Sequence, residues 1–322
     1  MNLFVSLKYL VALDDHRHFG RAALACHVTQ PALSNAIKAL EASFGVAVVK
    51  RGRSFAGFTP EGERILASAR SMLREHELLQ QDLLSSADEP RGNLVLGAVP
   101  TATPVAARFA SMLRQRHPGI RPLLRSMSSV EIETGLESLA LDLGLGYIER
   151  LNDGGPSLRV VPQYEEHYFL LCRREVAGTS GLQFGPEIGW SEAANQPLCM
   201  LSPEMHNRTV VDRAFVAACG QAPLPAIETN AILTLAQAVQ AGGVCSIMPG
   251  ALVGAVQGYG DLQARPLVAP RIAVPIAFMV HDTNRPSRTP EAALAFAQSA
   301  EWLAQLQQHA GPLAGLASSG LA

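Results

Sequence analysis

The sequence predicts an α/β protein that begins with an all-helical module. Three observations point there. Residues 3–44 carry helical periodicity punctuated by helix-start signals. From residue 93 onward, apolar β-branched runs alternate with helical segments, the pattern of layered α/β structure with largely parallel sheets. Between the two lies "SADEPRGN", residues 86–93, with the polar, Pro/Gly composition of a linker. A length of 322 residues accommodates two or three packed units.

Leu3, Leu7, Leu10 and Val11 place one apolar face on a first helix over residues 3–13, and Gly20 is expected to break the pattern. Arg21 to His27 reads as a second short helix. Thr29 can cap a third, with Pro31 at its first turn where no N–H is lost, and Gly45 suits its C-terminal cap after Phe44. "VAVVKRGRSFAGFTPEG" alternates, then turns glycine-rich, and reads as a small β-hairpin or wing. Thr59-Pro60-Glu61 starts a long helix to about Ser86. Along it Ile65, Ala69, Met72, His76, Leu79 and Leu83 recur at spacings of four, three, four, three and four, a heptad seam suited to pairing with a second copy. An ordinary helix packed on its own domain is the alternative.

Six strands follow, "NLVLGAV", "IRPLLRS", "LDLGLGYI", "YFLLC", "PLCML" and "AVPIAFMV", with helices near 104–116, 130–138, 207–218, 231–241 and 289–308. The small-residue end, 311–322, reads as a flexible tail.

The net charge of −2 argues against a polyanionic partner for the chain as a whole, but the charge is unevenly placed. Between His16 and Pro60, Arg17, Arg21, Lys38, Lys50, Arg51 and Arg53 face the single acid Glu41, so 6 − 1 = +5. A basic module within a neutral chain suits contact with phosphates. The five cysteines, Cys26, Cys172, Cys199, Cys219 and Cys245, lack CxxC spacing and read as reduced, buried thiols, against a disulfide framework or zinc site. The N-terminus is interrupted by Asp14, Asp15 and His16, and no run reaches the ~18 apolar residues of a membrane span. Together these features predict a cytoplasmic protein with no membrane partner. No GxSxG, Walker, Rossmann or HExxH pattern is present, and His167, His206 and His281 are isolated in sequence, so neither an enzyme nor a cofactor is expected.

A helix that reads DNA needs short polar or amide side chains at its start, a basic residue two turns on and an apolar underside. The third helix offers Thr29, Gln30, Ser34, Asn35 and Lys38, with Ala32, Leu33, Ile37 and Leu40 for packing. Gln and Asn can bind adenine in bidentate fashion, whereas Ser and Thr mostly hold phosphates. Arg51 and Arg53 on the wing can track the backbone or enter a minor groove.

"HFGRAALACHVTQPALSNAIKALEASFGVAVVKRGRSFAGFTPEGERIL" resembles the winged helix-turn-helix of LysR-type bacterial transcriptional regulators. Phe19, Ala22-Ala23, Gln30-Pro31, Ala32, Leu33-Ser34, Ile37, Leu40-Glu41, Gly45, Arg51, Thr59 and Gly62 carry the likeness. It implies an N-terminal winged helix-turn-helix over 1–60, a linker and dimerisation helix over 61–90, and a two-lobed α/β effector domain of the type 2 periplasmic-binding-protein kind over 91–310. Lobe I would comprise about 91–162 and 265–310, and lobe II about 163–264, with chain crossings near 148–164 and 260–272. The DNA-binding set it implies is Arg21, Thr29, Gln30, Pro31, Ser34, Asn35, Lys38, Arg51, Arg53 and Thr59. Family members often carry Arg or Gln where this chain has Asn35.

The resemblance further implies a small-molecule inducer of anionic character, with carboxylates among the candidates, held between the lobes by Thr101, Thr103, Ser128, Ser129, Ser202, His206, Asn207, Thr229 and Asn230. As single residues the Ser, Thr and Asn positions read equally well as helix caps. Dimerisation through Ile65, Ala69, Met72, Leu79 and Leu83, a tetramer built from two dimers, double-stranded promoter DNA and RNA polymerase complete the implied partners. Parts of the effector region also resemble members tied to formate or other one-carbon oxidation genes. The DNA segment is particularly like that of the family's peroxide-sensing branch. However, the reactive-cysteine position falls at His206, no second cysteine follows at short range, and Cys199 reads as core, which disfavours thiol-based peroxide sensing. A solute-binding protein of the same two-lobed form would need an export signal and no DNA module.

Overall fold

The computed structural model describes residues 2–50, 52, 55–84, 89–148, 158–174, 181–282 and 287–310. By contacts the chain divides into two compact units, Met1–Asp88 with Gly135–Ala140, and Glu89–Thr134 with Leu141–Ala322.

In the first unit α1 (Leu3–His16) starts at Asn2, whose side chain accepts from the Val5 N–H, and ends at Arg17 in the left-handed region. The break therefore lies at Arg17 and His18, and Gly20 sits inside α2 (Phe19–Ala25). The cap of α2 is an imidazole: His18 Nδ1 accepts from the N–H groups of Gly20 and Arg21 at 3.0 and 3.3 Å, so its proton sits on Nε2. Thr29 caps α3 (Gln30–Phe44) through the Ala32 N–H, and Gly45 closes it at φ 69°, as expected.

The strand-turn-strand segment reduces to a bridge between Val49 and Phe58, flanked by Lys50 N–H to Gly57 O and Thr59 N–H to Val48 O, both 3.0 Å. Arg51 and Arg53 lie outside the described residues. Thr59 starts α4 (Pro60–Leu84), accepting from the Gly62 N–H at 2.9 Å and donating to Ala47 O at 2.6 Å. A Cβ on Gly62 would stand 2.1 Å from Val48 O, so only glycine lets the helix approach the hairpin backbone.

Leu7, Leu10, Leu13, Ala22, Ala23, Leu33, Ile37, Leu40, Val48, Phe58, Leu66 and Ala69 form one core. Ala32, expected on the packing side, is exposed instead. Arg70 pairs with Asp14 at 2.7 Å and Asp15 at 2.6 Å, tying α4 to α1. Glu41 points inward, its Oε1 accepting from the N–H groups of Val48 and Val49 at 2.8 and 3.1 Å.

The second unit opens with β1 (Gly92–Ala98), so the end of the expected linker is already strand. A 3₁₀ turn at Pro100–Ala102 leads into α5 (Thr103–Arg116), followed by β2 (Ile120–Ser126), α6 (Ser129–Glu137), β3 (Leu143–Tyr147) and the 16-residue β4 (Leu158–Arg173). Next come β5 (Gln183–Phe184), β6 (Ile188–Gly189), α7 (Trp190–Ala193), β7 (Leu198–Leu201), α8 (His206–Cys219), β8 (Ile227–Thr229), α9 (Ile232–Ala241) and β9 (Cys245–Pro249). The order closes with α10 (Gly250–Ala255), β10 (Leu262–Val268), β11 (Ala273–His281), α11 (Arg288–Ala297) and α12 (Ala300–Ala310). The helix expected over 289–308 is thus two, because Ser299 Oγ accepts from the Trp302 N–H and restarts it.

Strands run β2-β1-β3-β11-β4-β9-β7-β8, with β10 also on β4. The sheet is mixed where a largely parallel one was expected: β1 pairs in parallel with β2 and β3, and β7 with β8 and β9, whereas β4 is antiparallel to β9, β10 and β11. β4 is common to both halves. It pairs with β11 up to His167 opposite Ala273, then with β9 from Tyr168 opposite Pro249.

One half packs Phe109 against Phe278, Phe296 and Trp302, at ring-centroid separations of 4.5, 5.5 and 5.0 Å. The other buries Phe169, Leu171, Cys199, Leu201, Leu235, Val239, Met248 and Leu262. No described helix is long and apolar enough to cross a membrane.

Glu41 is the only acid in the basic N-terminal segment, and it serves two backbone donors. Glu41→Ala should lower the urea midpoint of the N-terminal unit by the equivalent of about 2 kcal/mol, the worth of hydrogen bonds to a charged group, with the transition of the second unit unchanged.

Candidate nucleic-acid interface and ligand pocket

On α3, Gln30, Pro31, Ala32, Asn35 and Lys38 are exposed and Ser34 is half-buried, while Leu33, Ile37 and Leu40 face the core. The apolar side comes from i, i+4, i+7 spacing, so the polar positions between those residues are forced outward together. Arg21 and Lys50 are exposed as well. With Glu41 turned inward, the local positive charge is not offset on the outer face. The hydroxyl oxygens of Thr29 and Thr59 are both engaged in capping helices.

The seam on α4 divides. Met72, Leu79 and Leu83 are 50, 58 and 78% exposed, whereas Ala69 is fully buried in the core of its own unit. Ile65 is half-buried and lines an apolar groove with Leu3, Leu7, Phe44 and Met72.

In the second unit a cavity of about 490 Å³ opens beside the point where β4 changes partners. Its lining brings together Thr101, Ser128, Ser129, His206 and Asn207 with Val99, Pro100, Ser126, Met127, Val130, Glu131, Tyr147, Glu204 and Met205. Thr103, Ser202, Thr229 and Asn230 lie outside this lining. The Thr103 hydroxyl donates to Val99 O, Ser202 donates to Glu204, Thr229 accepts from the Ala231 N–H, and Asn230 is exposed. Asn207 is no helix cap, since Met205 occupies that position on α8.

Tyr147 Oη is the hub of the polar wall. It meets Thr101 Oγ1 at 3.0 Å, donates to Glu166 Oε2 at 3.2 Å and lies 3.5 Å from Asn207 Nδ2, which also donates to Tyr168 Oη at 3.2 Å. The His206 ring packs on Tyr147 at 4.5 Å. Ser128 and Glu131 form a reciprocal capping box at the start of α6: the Glu131 N–H donates to Ser128 Oγ, and the carboxylate accepts from the Ser128 N–H at 2.8 Å. Beside it the Ser129 hydroxyl is buried without a hydrogen-bond partner among the described residues.

Against the expectation of an anionic guest, the lining carries two carboxylates and, among its described residues, no Lys or Arg. The Glu204 carboxyl is held below its usual range by the Ser202 hydroxyl and by its own backbone N–H. The α6 terminus is served by Glu131, whereas Pro100 and Thr101, both in the lining, begin the 3₁₀ turn that leads into α5.

Sequence reasoning did not find Tyr147 or Glu166. The signal for Glu166 was a charged pair, Glu165-Glu166, inside a strand flanked by Tyr164 and Tyr168. Glu166 is fully buried, and desolvation lifts its carboxyl from 4.5 to about 8, with the nearby Tyr147 and Tyr164 hydroxyls drawing it part of the way back. Burial also pushes the Tyr147 phenol up, reinforced by the Glu166 charge.

A carboxyl that keeps its proton in the folded state up to about pH 8, and loses it near 4.5 when unfolded, makes stability fall as pH rises between those values. Glu166→Gln should therefore match the parent at pH 4.5 and exceed it increasingly up to pH 8, by on the order of a few kcal/mol, as read by denaturant unfolding at a series of pH values.

Comparison with known proteins identifies two family domains. Residues 4–63 match the model of the bacterial regulatory helix-turn-helix protein, lysR family, and residues 87–302 match that of the LysR substrate binding domain. Among curated relatives, the DNA-binding transcriptional dual regulator OxyR of Escherichia coli K12 is 36% identical over 137 residues, covering 42% of this chain and 45% of that protein. The SDS degradation transcriptional activation protein of Pseudomonas sp. ATCC 19151 is 32% identical over 174 residues, covering 54% and 56%. The chain thus spans about half the length of the curated relatives it matches.

Two solved structures share the fold over nearly the whole chain. A full-length OxyR variant from Pseudomonas aeruginosa has a TM-score of 0.66 at 23% identity and covers 96% of this chain and 98% of that one. Full-length CbnR complexed with target DNA has a TM-score of 0.63 at 20% identity, covering 94% and 99%. With the two models matching from the first helix into the last, the chain belongs to the LysR family of bacterial regulatory helix-turn-helix proteins.

Proposed function

We propose that the protein is a cytoplasmic transcriptional regulator, not an enzyme, that reads double-stranded promoter DNA through α3 and changes its hold on DNA when a small molecule occupies the 490 Å³ pocket. The observation that carries the reading is the outward row of Gln30, Asn35 and Lys38 above a buried Leu33, Ile37 and Leu40. The amides of Gln30 and Asn35 suit base edges, and Lys38 with Arg21, Lys50 and the wing arginines suits phosphates. Ser34 and Pro31 belong to the same surface.

We assign the DNA-reading module to 1–60, the linker helix and hinge to 61–90 and the effector domain to 91–310. We take the lobe crossings to lie near 148–164 and 260–272; the change of partner within β4 at His167–Tyr168 and the connection between β10 and β11 support two crossings. Exposed Met72, Leu79 and Leu83 support pairing through α4, with a tetramer and contact with RNA polymerase as further steps. Peroxide induction is in the names of several relatives. In this chain, Cys199 is buried in β7 with its thiol pushed up by desolvation, and His206 stands where the reactive cysteine would fall, so the pocket is the better regulatory site.

A footprint of the purified protein on its own upstream DNA tests the reading. It would be repeated with matched carboxylates, amides and amines, formate included. Protection whose length or bend changes with one compound supports it, and no protection by folded protein at low salt overturns it.

Lys38→Ala should weaken binding to all sequences and reduce the log–log salt slope by about 1. Asn35→Ala should instead relax preference at one base pair, by roughly 1–3 kcal/mol; competition binding at several salt concentrations separates the two. Leu79→Glu should shift the protein from dimer toward monomer in sedimentation velocity while leaving the second unit's unfolding transition in place.

A further inference from the structure

Cys172 and Cys245 are far apart in sequence and adjacent in space. Cys172 is the next residue on β4 after Leu171, which pairs with Ser246, so it falls opposite Cys245 at the start of β9. The two sulfurs are 3.4 Å apart with both side chains half-buried. Directly opposed residues of an antiparallel pair have Cα atoms about 4.5–5.5 Å apart, within the span a disulfide bridges.

A cation stands on the same face. Arg265 on β10 is opposite Leu170, and Gln263 is opposite Cys172, so Arg265 lies diagonal to the pair. Its guanidinium is fixed by donation to Pro186 O and Glu187 O at 3.2 and 3.4 Å, and its charge favours the thiolate form of both cysteines. The two sulfurs share a hydrogen bond in which Cys245 Sγ donates to Cys172 Sγ, so loss of one proton leaves a thiolate beside a thiol. The other cysteines offer no such arrangement: Cys199 is buried, Cys219 is exposed and bonded to Phe215 O, and Cys26 belongs to the first unit.

We propose that Cys172 and Cys245 form a reversible redox site that exchanges with low-molecular-weight disulfides and closes to a cross-strand disulfide. The thiolate of one cysteine of the pair attacks one sulfur of the small disulfide, forming a mixed disulfide and expelling one thiolate. The other cysteine then loses its proton and attacks the protein sulfur of the mixed disulfide, expelling the second thiolate, so two protein thiols are oxidised and one small disulfide is reduced to two thiols. The closed form ties β4 to β9 four residues beyond Tyr168, on the strand that carries Glu166 behind the pocket.

The test uses the full-length protein, reduced, freed of reductant, exposed to glutathione disulfide, quenched in acid, alkylated and mapped by mass spectrometry. The expected result is a peptide carrying Cys172 cross-linked to one carrying Cys245. Both sites lose alkylation together and regain it with dithiothreitol. Cys172→Ser and Cys245→Ser should each stop at a glutathione adduct on the remaining cysteine of the pair. Both sites remaining alkylatable while Cys219 carries the adduct would overturn the proposal, as would separate adducts at the two sites with no cross-link. The map of the parent protein decides this even if a variant does not fold.

Discussion

One strand has to satisfy two halves of the effector unit, and most of that unit's chemistry follows from this. β4 is hydrogen-bonded to β11 along its first part and to β9 and β10 along its second. Where the partners change, the sheet opens and polar groups must be accommodated inside protein. Glu166 lies one residue before the last pair with β11, fully buried, and is tolerated there because it keeps its proton and because Tyr147 bonds to it. Tyr147 in turn faces the cavity. The pocket and its buried acid are therefore two consequences of the same change in strand pairing, in keeping with the tendency of open α/β sheets to bind ligands where strand order changes.

The N-terminal unit is organised by a different economy of charge. Glu41 could have neutralised the surface of α3, but it turns inward and caps the hairpin backbone. Gly62 lets α4 lie against the same backbone. The residues holding the hairpin against the helices are thus the ones that leave a basic outer face, so the same contacts serve stability and electrostatics together.

Much of this was legible in sequence because it rests on local rules. Thr29, Gly45 and Thr59 mark helix ends by mechanisms that act within four residues, and they stand where those rules put them. Long-range pairing was less legible. Apolar runs do not reveal whether neighbours are parallel, so the mixed sheet was missed, and "YFLLC" exposed only the apolar end of β4. Ala69 fits a heptad by spacing, but its methyl is small enough to close the core of its own unit. The pocket was half legible. The family resemblance pointed to Thr101, Ser128 and Ser129, whereas Tyr147 and Glu166 needed the third dimension, since 19 positions separate two atoms 3.2 Å apart.

The pocket wall draws on both sides of the β4 crossing. Thr101, Ser129 and Tyr147 come from the half built on β1, α6 and β3, and Glu204, His206 and Asn207 from the segment leading into α8. Among the contacts that join them are the 3.5 Å approach of Asn207 to Tyr147 and the packing of His206 on the same ring. A ligand that satisfies Ser129 alone would bind without preferring any separation of the halves and would shift nothing. One that reaches from Ser129 to Asn207 or Glu204 takes over the bridging role, so its affinity depends on how far apart the halves stand. Regulation at this pocket therefore requires a guest long enough to touch both walls, and the size of the cavity, more than any one hydrogen bond, is what selects for it.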